Sequence, residues 1–468
     1  MQSILKKSIL FYLRFLARKV ISKHHPVIIG IAGSVGKTSA RNALYAILKD
    51  HFPTKYIGNS ETGIPLGILG IVPNGFTKQD WLWMLLRAPF SLNFLNGTKY
   101  LIVEMGIDEP FPPKNMEYLL TILTPDIAIQ LNAAATHTMQ FEKALGARQK
   151  EKNSREKLAI LQQMIAREDG KILTIAKPKT YIYNADDLFI SDVILNSIQN
   201  QKKIPDQVRD DMPTMLTFGK EKTNSISYGE YSVSLEGTKF ELYVKQNANM
   251  TRLPLHFHGM IIPKVYQEVF ASAILAAQLT GVTLEQCKAA LEKNFTLPKG
   301  RSSLLNGIHN STIIDSSYNA SKAATITFFE LLLMLKRKTK RPIVFLFGDM
   351  RELGHEGKIE HEEVAEKIIG VIDYLYCVGP LTREYVLPVV QRSEEQFKEI
   401  RWFTNAKYAG EFLKENLPKD AIILVKGSQN TIFLEEAVKY ILADNKDAVK
   451  LCRQEEYWMK IKSTRIIT

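Results

Sequence analysis

Cysteine is scarce in this sequence. Cys287, Cys377 and Cys452 are the three in a chain of 468, and no two form a Cys-x-x-Cys pair. That spacing argues against a thiolate zinc site and a disulfide framework, and it suits a reducing cytoplasm. The thiols read as packing residues rather than nucleophiles. Long apolar runs are missing as well. In residues 1–25 the longest is Ile9 to Leu13, far below the roughly 20 residues that span a bilayer. No small-residue cleavage site follows it, so a secretory signal is not indicated. The chain shows no internal repeat, no extended low-complexity tract and no RNA- or DNA-binding motif. Nucleic acid is therefore not expected as a partner. The net charge of +12 is left to anionic substrates or an anionic surface.

Acid is absent from residues 1–25, where six Lys or Arg are spread among Ile, Leu, Phe and Tyr. Such a basic amphipathic helix can lie on a membrane surface. It can equally pack on the body of the protein with a solvated basic face. A cytoplasmic location, peripheral on the inner membrane face in the first case, fits both.

What is present begins at Val27. The stretch VIIGIAGSVGKTS is an apolar run that turns through Gly33, Ser34, Val35 and Gly36 and ends on Lys37, Thr38 and Ser39. A helix-like segment, Ala40 to Lys49, follows. Strand, glycine loop, Lys-Thr and helix is the layout of a phosphate-binding loop. Glycines let backbone N–H groups approach phosphate oxygens, and the helix N-terminus adds its positive end. Lys37 would reach the outer phosphates and the Thr38 hydroxyl would sit on Mg²⁺. The usual spacing needs glycine at position 31, where the chain has Ile, so the loop is a short form. An ordinary strand-to-helix turn has no need of Lys-Thr there.

Downstream, Tyr100 to Glu104 reads as a buried strand ending on an acid, and Asp126 to Asn132 as another, with His137 just beyond it. The carboxyl edge of an open α/β sheet is where ligands bind. A Glu at that edge is well placed for Mg²⁺ beside a triphosphate. The stretch 142–164 reads as a charged helix, 196–214 as a surface loop or insertion, 228–245 as half-buried strands and 266–279 as an Ala-rich helix. Near Leu297 to Arg301 the pattern restarts. Four strand-like runs (311–315, 342–349, 374–379, 421–428) alternate with helix-like segments, which predicts a second α/β unit with a mainly parallel sheet.

In this order the landmarks resemble the Mur ligase family, which forms amide bonds in cell-wall precursors using ATP. The resemblance rests on Ala32 to Thr38, Glu104-Met-Gly106, Asn132 to His137, Gly300-Arg301, Asp315 to Ala320, Gly348 to Gly354 with His361, and Lys426-Gly-Ser428. The block GDMRELG looks like the branch that adds D-alanyl-D-alanine. The expected fold class is α/β: a central P-loop ATPase domain with a mostly parallel sheet and a C-terminal Rossmann-like domain. The division is 1–25 (basic helix), 26–296 (ATP-binding) and 297–468 (C-terminal).

The resemblance implies that residues 33–39 hold ATP and that Thr38 and Glu104 bind one Mg²⁺. It implies that His137 helps bind a second with a carbamylated lysine, for which Lys157 is the choice and Lys152 the alternative. Lys37, His137 and Lys157 would serve catalysis. Arg301, Asp315, Tyr318 and Asn319 would meet ATP from the C-terminal domain. The implied substrates are a UDP-linked muramoyl-tripeptide and D-Ala-D-Ala. A folylpolyglutamate-type or other peptide ligase, or a membrane-surface ATPase switch, are the alternatives. Two departures stand out. The family's adenine segment should fall near 263–273, which reads PKVYQEVFASA without either expected Asn. The family's N-terminal UDP-binding domain has no counterpart ahead of Pro26.

Overall fold

The computed structural model describes residues 2–73, 75, 77–134, 138–150, 152, 154–202, 213–246, 249–351, 353, 357–428 and 431–465. Two compact units account for them.

The first unit is 1–229 with 241–255 and 266–295. Its sheet has the order β2-β3-β1-β4-β5-β6-β7-β8-β9. The strands are β1 Val27–Ala32, β2 Thr54–Ile57, β3 Tyr100–Glu104, β4 Ile127–Gln130, β5 Thr180–Asn184, β6 Thr214–Gly219, β7 Ile226–Ser234, β8 Gly237–Gln246 and β9 Asn249–His258. Pairing from β2 through β7 is parallel. The central strands are near-continuous apolar runs because both faces are covered. The alternating burial of β8 and β9 marks strands with one wet face. Only two residues separate β7 from β8, too few for a parallel crossover. Strand order reverses at β1, which pairs β3 on one side and β4 on the other. The crevice beyond the carboxyl ends of such a switch point is where open α/β sheets bind ligands.

Helix α1, Gln2–His24, packs on this unit. Leu13, Leu16, Ala17 and Val20 are buried in its core beside helix α3, Gly63–Ile68. Burying a Leu or Val side chain contributes about 1.5–3 kcal/mol, which fixes the helix to the body. Polar contacts add to it: Arg14 donates to Thr121 Oγ1 at 3.0 Å and Lys23 to Asn93 Oδ1 at 2.6 Å. The packed reading of residues 1–25 therefore describes one face of the helix. Helix α2, Lys37–Leu48, follows β1, and helix α4, Lys78–Arg87, starts at a Thr77–Asp80 capping box. No helix among the described residues is long and apolar enough to cross a membrane.

Two segments differ from expectation. Helix Leu188–Lys202 reaches into the stretch read as a loop, since Val193 and Ile194 anchor its inner face. The charged stretch after Phe141 breaks into short turns before helix Ser154–Asp169.

The second unit is 230–240, 256–265 and 296–468. Its sheet runs β10-β11-β15-β12-β13-β14. These are β10 Ser303–Asn306, β11 Thr312–Asp315, β12 Ile343–Gly348, β13 Tyr374–Val378, β14 Glu399–Phe403 and β15 Ile422–Lys426. All pairs are parallel except β10 with β11. The two short segments 230–240 and 256–265 belong here because Val233 and Ile261 are part of this unit's core. The chain is thus mixed α/β with mostly parallel sheets, as the alternating pattern predicts.

Candidate functional site

In the first unit the site grows from the end of β1. Gly33 has φ 131°, and a Cβ there would stand 3.1 Å from the Asn132 amide nitrogen. Gly36, φ 91°, caps α2 without a side-chain hydrogen bond. No side chain therefore caps the first turn of α2, which suits an anion. The loop is braced from the end of β4. Asn132 Oδ1 accepts from Val35 N at 2.9 Å, its Nδ2 donates to Val35 O at 3.0 Å, and its carbonyl accepts from Ser34 N at 3.0 Å. Ser34 Oγ donates to Ala134 O at 2.8 Å. Asp187 continues the brace, accepting from Ala133 N at 2.7 Å while capping the helix after β5.

Lys37 folds back on its own loop, donating to Gly33 O and to Ser34 O. Asp169 is buried nearby, and burial pushes its carboxyl up to about 7 against the pull of Lys37. Ser39 turns away, donating to Tyr266 Oη at 3.1 Å inside the unit. Its hydroxyl is thereby committed to packing rather than to the loop.

Thr38 Oγ1 donates to Glu104 Oε2 at 3.0 Å. The other carboxylate oxygen, Oε1, meets Arg41 Nη1 at 2.6 Å, with Arg41 also 4.4 Å from the Tyr56 ring. Helix phase puts Thr38 and Arg41 on one side of α2. Thr38 and Glu104 form an oxygen-only donor pair at the sheet edge, and that pair fits a hard cation such as Mg²⁺ completed by phosphate oxygens and water.

His137 lies outside the described residues. Lys157 Nζ stands 3.7 Å from Glu142 Oε1, so a carbamate at this position would set a second negative group beside Glu142. Lys152 is exposed and pairs with Glu156 at 3.6 Å. The stretch 263–273 leads into a buried helix, Tyr266–Gln278. There Gln267 donates to Gly229 O, and burial pushes Glu268 up to about 7 while a hydrogen bond with Asn132 opposes it.

In the second unit the loops after β11, β12 and β15 converge. Ser316 N donates to Val425 O at 2.9 Å and Ser428 N to Asp349 O at 3.0 Å. Asp315 is fully buried, accepts from Ser317 N at 3.0 Å, and has its other oxygen unpaired. Burial pushes it up to about 6. Lys426 is buried beside it and donates to Asn319 O at 3.0 Å. Burial and the Arg301 cation push this lysine down to about 7, with Asp315 opposing. The Arg301 guanidinium lies 4.7 Å from the Tyr318 ring. Arg301, Asp315, Tyr318 and Asn319 are thus brought together.

Asp349, from the GDMRELG block, is buried and accepts from Thr382 N at 2.9 Å, with Arg351 at 3.0 Å. His361 accepts from Met350 N at 2.9 Å. Glu352 and Gly354 lie outside the described residues.

Sequence reasoning missed the support of this cluster. Arg453 donates to Tyr318 O at 2.7 Å and Ser317 O at 2.9 Å while pairing with Glu435 at 2.5 Å. Lys462 pairs with the same Glu435 at 2.8 Å. Only an excess of charge in a segment beyond the last strand could have signalled it. The three cysteines are buried, and burial pushes the Cys287 and Cys452 thiols up to about 12, which fits packing.

Residues 300–429 match the family model described as Mur ligase, glutamate ligase domain. Two curated relatives are UDP-N-acetylmuramoyl-tripeptide–D-alanyl-D-alanine ligases. The one from Buchnera aphidicola is 23% identical over 434 residues, 91% of this chain and 78% of that protein. The one from Bacillus subtilis is 24% identical over 443 residues, 94% and 81% respectively. Among solved structures, MurF ligase from Thermotoga maritima in complex with ADP is similar in fold, with a TM-score of 0.67 at 20% identity. The match covers 94% of this chain and 84% of that one.

Proposed function

We propose that the chain is a member of the Mur ligase family and an ATP-dependent amide ligase of peptidoglycan precursor synthesis. It joins D-alanyl-D-alanine to a UDP-linked muramoyl-tripeptide, as its curated relatives are named for doing. The observation that carries the reading is the Thr38–Glu104 pair directly after Lys37 on a braced glycine loop. A chain of ordinary strand-to-helix turns has no use for that arrangement.

A carboxylate is a poor acyl donor. Transfer of the γ-phosphoryl group of ATP turns it into an acyl phosphate with a good leaving group. The amine then attacks, and phosphate departs. Catalysis of this kind is mostly positioning and charge neutralisation. Lys37 exchanges the loop carbonyls of Gly33 and Ser34 for phosphate oxygens, and the first turn of α2 supplies amide donors. Asn132 holds the loop at Val35 that leads into that turn. Thr38 and Glu104 would hold one Mg²⁺, which neutralises charge on the transferred phosphoryl group. A second ion would be held by His137 and a carbamylated Lys157, and its positive charge would offset that of the neighbouring Glu142. For Arg301, Asp315, Tyr318 and Asn319 the family resemblance is what suggests a nucleotide role. A cytoplasmic location is consistent with ATP use and with buried free thiols.

The test is an acceptor screen. ATP, Mg²⁺ and UDP-muramoyl-tripeptide are offered with D-Ala-D-Ala or with single amino acids, and ADP is measured. ADP formation that requires D-Ala-D-Ala is expected. ADP formed only when a folate replaces the muramoyl-tripeptide and glutamate is the amine transfers the chain to the folylpolyglutamate type. Equal ATP turnover without any acceptor refutes a ligase.

A further inference from the structure

Helix α1 is apolar on two sides, and only one of them is buried. Leu13, Leu16 and Val20 enter the core, whereas Ile4, Phe11 and Phe15 are exposed. Alongside runs α4 and the turn after it. Tyr12 donates to Leu85 O, and His24 lies 2.9 Å from Leu92 O, so the two elements are neighbours. There, Met84 points inward, while Leu82, Trp83, Leu86 and Phe94 are exposed and Phe90 is 90% exposed. Large apolar side chains gathered this way mark an interaction surface.

Cations are interleaved with the rings. Arg87 lies 5.0 Å from the Trp83 ring, Lys55 3.7 Å from Phe94, and Arg14 5.7 Å from Phe11. Residues 1–103 hold thirteen Lys and Arg against three acids, Asp50, Glu61 and Asp80. Most of the chain's charge of +12 is therefore concentrated in this segment. Two of the three acids are already engaged, Glu61 with Lys6 and Asp80 with its own helix cap.

We propose that α1, α4 and the turn carrying Phe90 form one docking surface for an anionic lipid bilayer. Phe, Leu and Trp side chains at such a surface enter the acyl boundary while flanking Lys and Arg meet headgroup phosphates. A protein partner of mixed charge has no reason to select this pattern of cations around rings. No helix here is long and apolar enough to span, so attachment is in the interfacial plane and reversible. The surface is independent of the ligase reading, since none of its residues is assigned to the nucleotide or the metal.

The full chain is sedimented with vesicles of phosphatidylcholine alone or mixed with phosphatidylglycerol. Binding to the mixed vesicles that weakens as salt is raised is expected. Arg18→Glu with Lys19→Glu should lower it about fivefold or more per cation lost. Leu86→Ser with Phe90→Ser should lower it tenfold or more at unchanged thermal stability, since both residues are exposed. Absence of binding to the mixed vesicles overturns the proposal, as does equal binding to both vesicle types. A lipid-free dimer, seen by sedimentation equilibrium and abolished by Phe90→Ser, also overturns it by assigning the face to a second copy.

Discussion

Replacing Glu104 separates its two partners. In the wild type its carboxylate is nearly buried, with Arg41 at 2.6 Å on one oxygen and Thr38 at 3.0 Å on the other. Glu104→Ala strands the Arg41 cation. Removing one partner of a buried pair costs about 3–5 kcal/mol. Arg41 keeps some solvent and the Tyr56 ring, so the low end, about 3 kcal/mol, is expected. Arg41→Met removes the cation instead and leaves Glu104 bonded to Thr38. The double variant has no stranded charge, so its loss should fall short of the summed single losses by about 2 kcal/mol. Urea unfolding followed by tryptophan fluorescence measures all four proteins. Function should split differently. Both variants lacking Glu104 should lose Mg²⁺-dependent ligation by about a hundredfold or more, and the rise in Tm with ADP and Mg²⁺ should vanish. Arg41→Met alone should keep that rise. Additive losses within about 0.5 kcal/mol would refute the ion pair. A full Mg²⁺-dependent Tm rise in Glu104→Ala would refute the metal seat.

Three further outcomes are expected. Asn132→Ala removes both side-chain bonds to Val35 and should weaken ADP binding about tenfold, at a stability cost of about 1–3 kcal/mol by titration and urea unfolding. Arg453→Met should cost about 3 kcal/mol, because Glu435 and the carbonyls of Ser317 and Tyr318 lose a buried donor. For Lys426 the folded value of about 7 lies below the ordinary 10.5, so the unfolded chain holds more protons between them. Wild-type stability relative to Lys426→Met should therefore rise as pH climbs from about 7 towards 10.5. A constant gap in urea midpoints over that range would contradict the burial of a cation there.

The loop was legible because its chemistry is local: glycine, Lys37 and Thr38 are contiguous, and the apolar run before them can only be a buried strand. Glu104 was legible as an acid ending such a strand. Arg41 was not, because its partner lies far along the chain at the end of β3 and nothing in KTSAR announces a pair. Asn132 stood out by family resemblance, yet its work as a brace appears only where β4 lies beside β1. Helix α1 was ambiguous for a physical reason. Its apolar residues occupy both the core face and the outer face, so periodicity could not separate packing from exposure. The helix into residues 196–202 was hidden by the Asn, Gln and Lys that crowd its sequence. The roles of Arg453 and Lys462 could not be read from the sequence, since burial of paired charges leaves no mark in composition.

The brace formed by Arg453 also imposes an order of events. The carbonyls it holds, at Ser317 and Tyr318, are translated 136 and 135 residues earlier. At bacterial or eukaryotic elongation rates the loop from Asp315 to Asn319 waits on the order of ten seconds for its support. Until then Asp315 and Lys426 have no reason to stay buried, and the apolar strands around them remain open to misassociation. The last segment of the first unit ends at Phe295, so that unit is fully translated by that time. The second unit is therefore finished last, when its support arrives from the end of the chain.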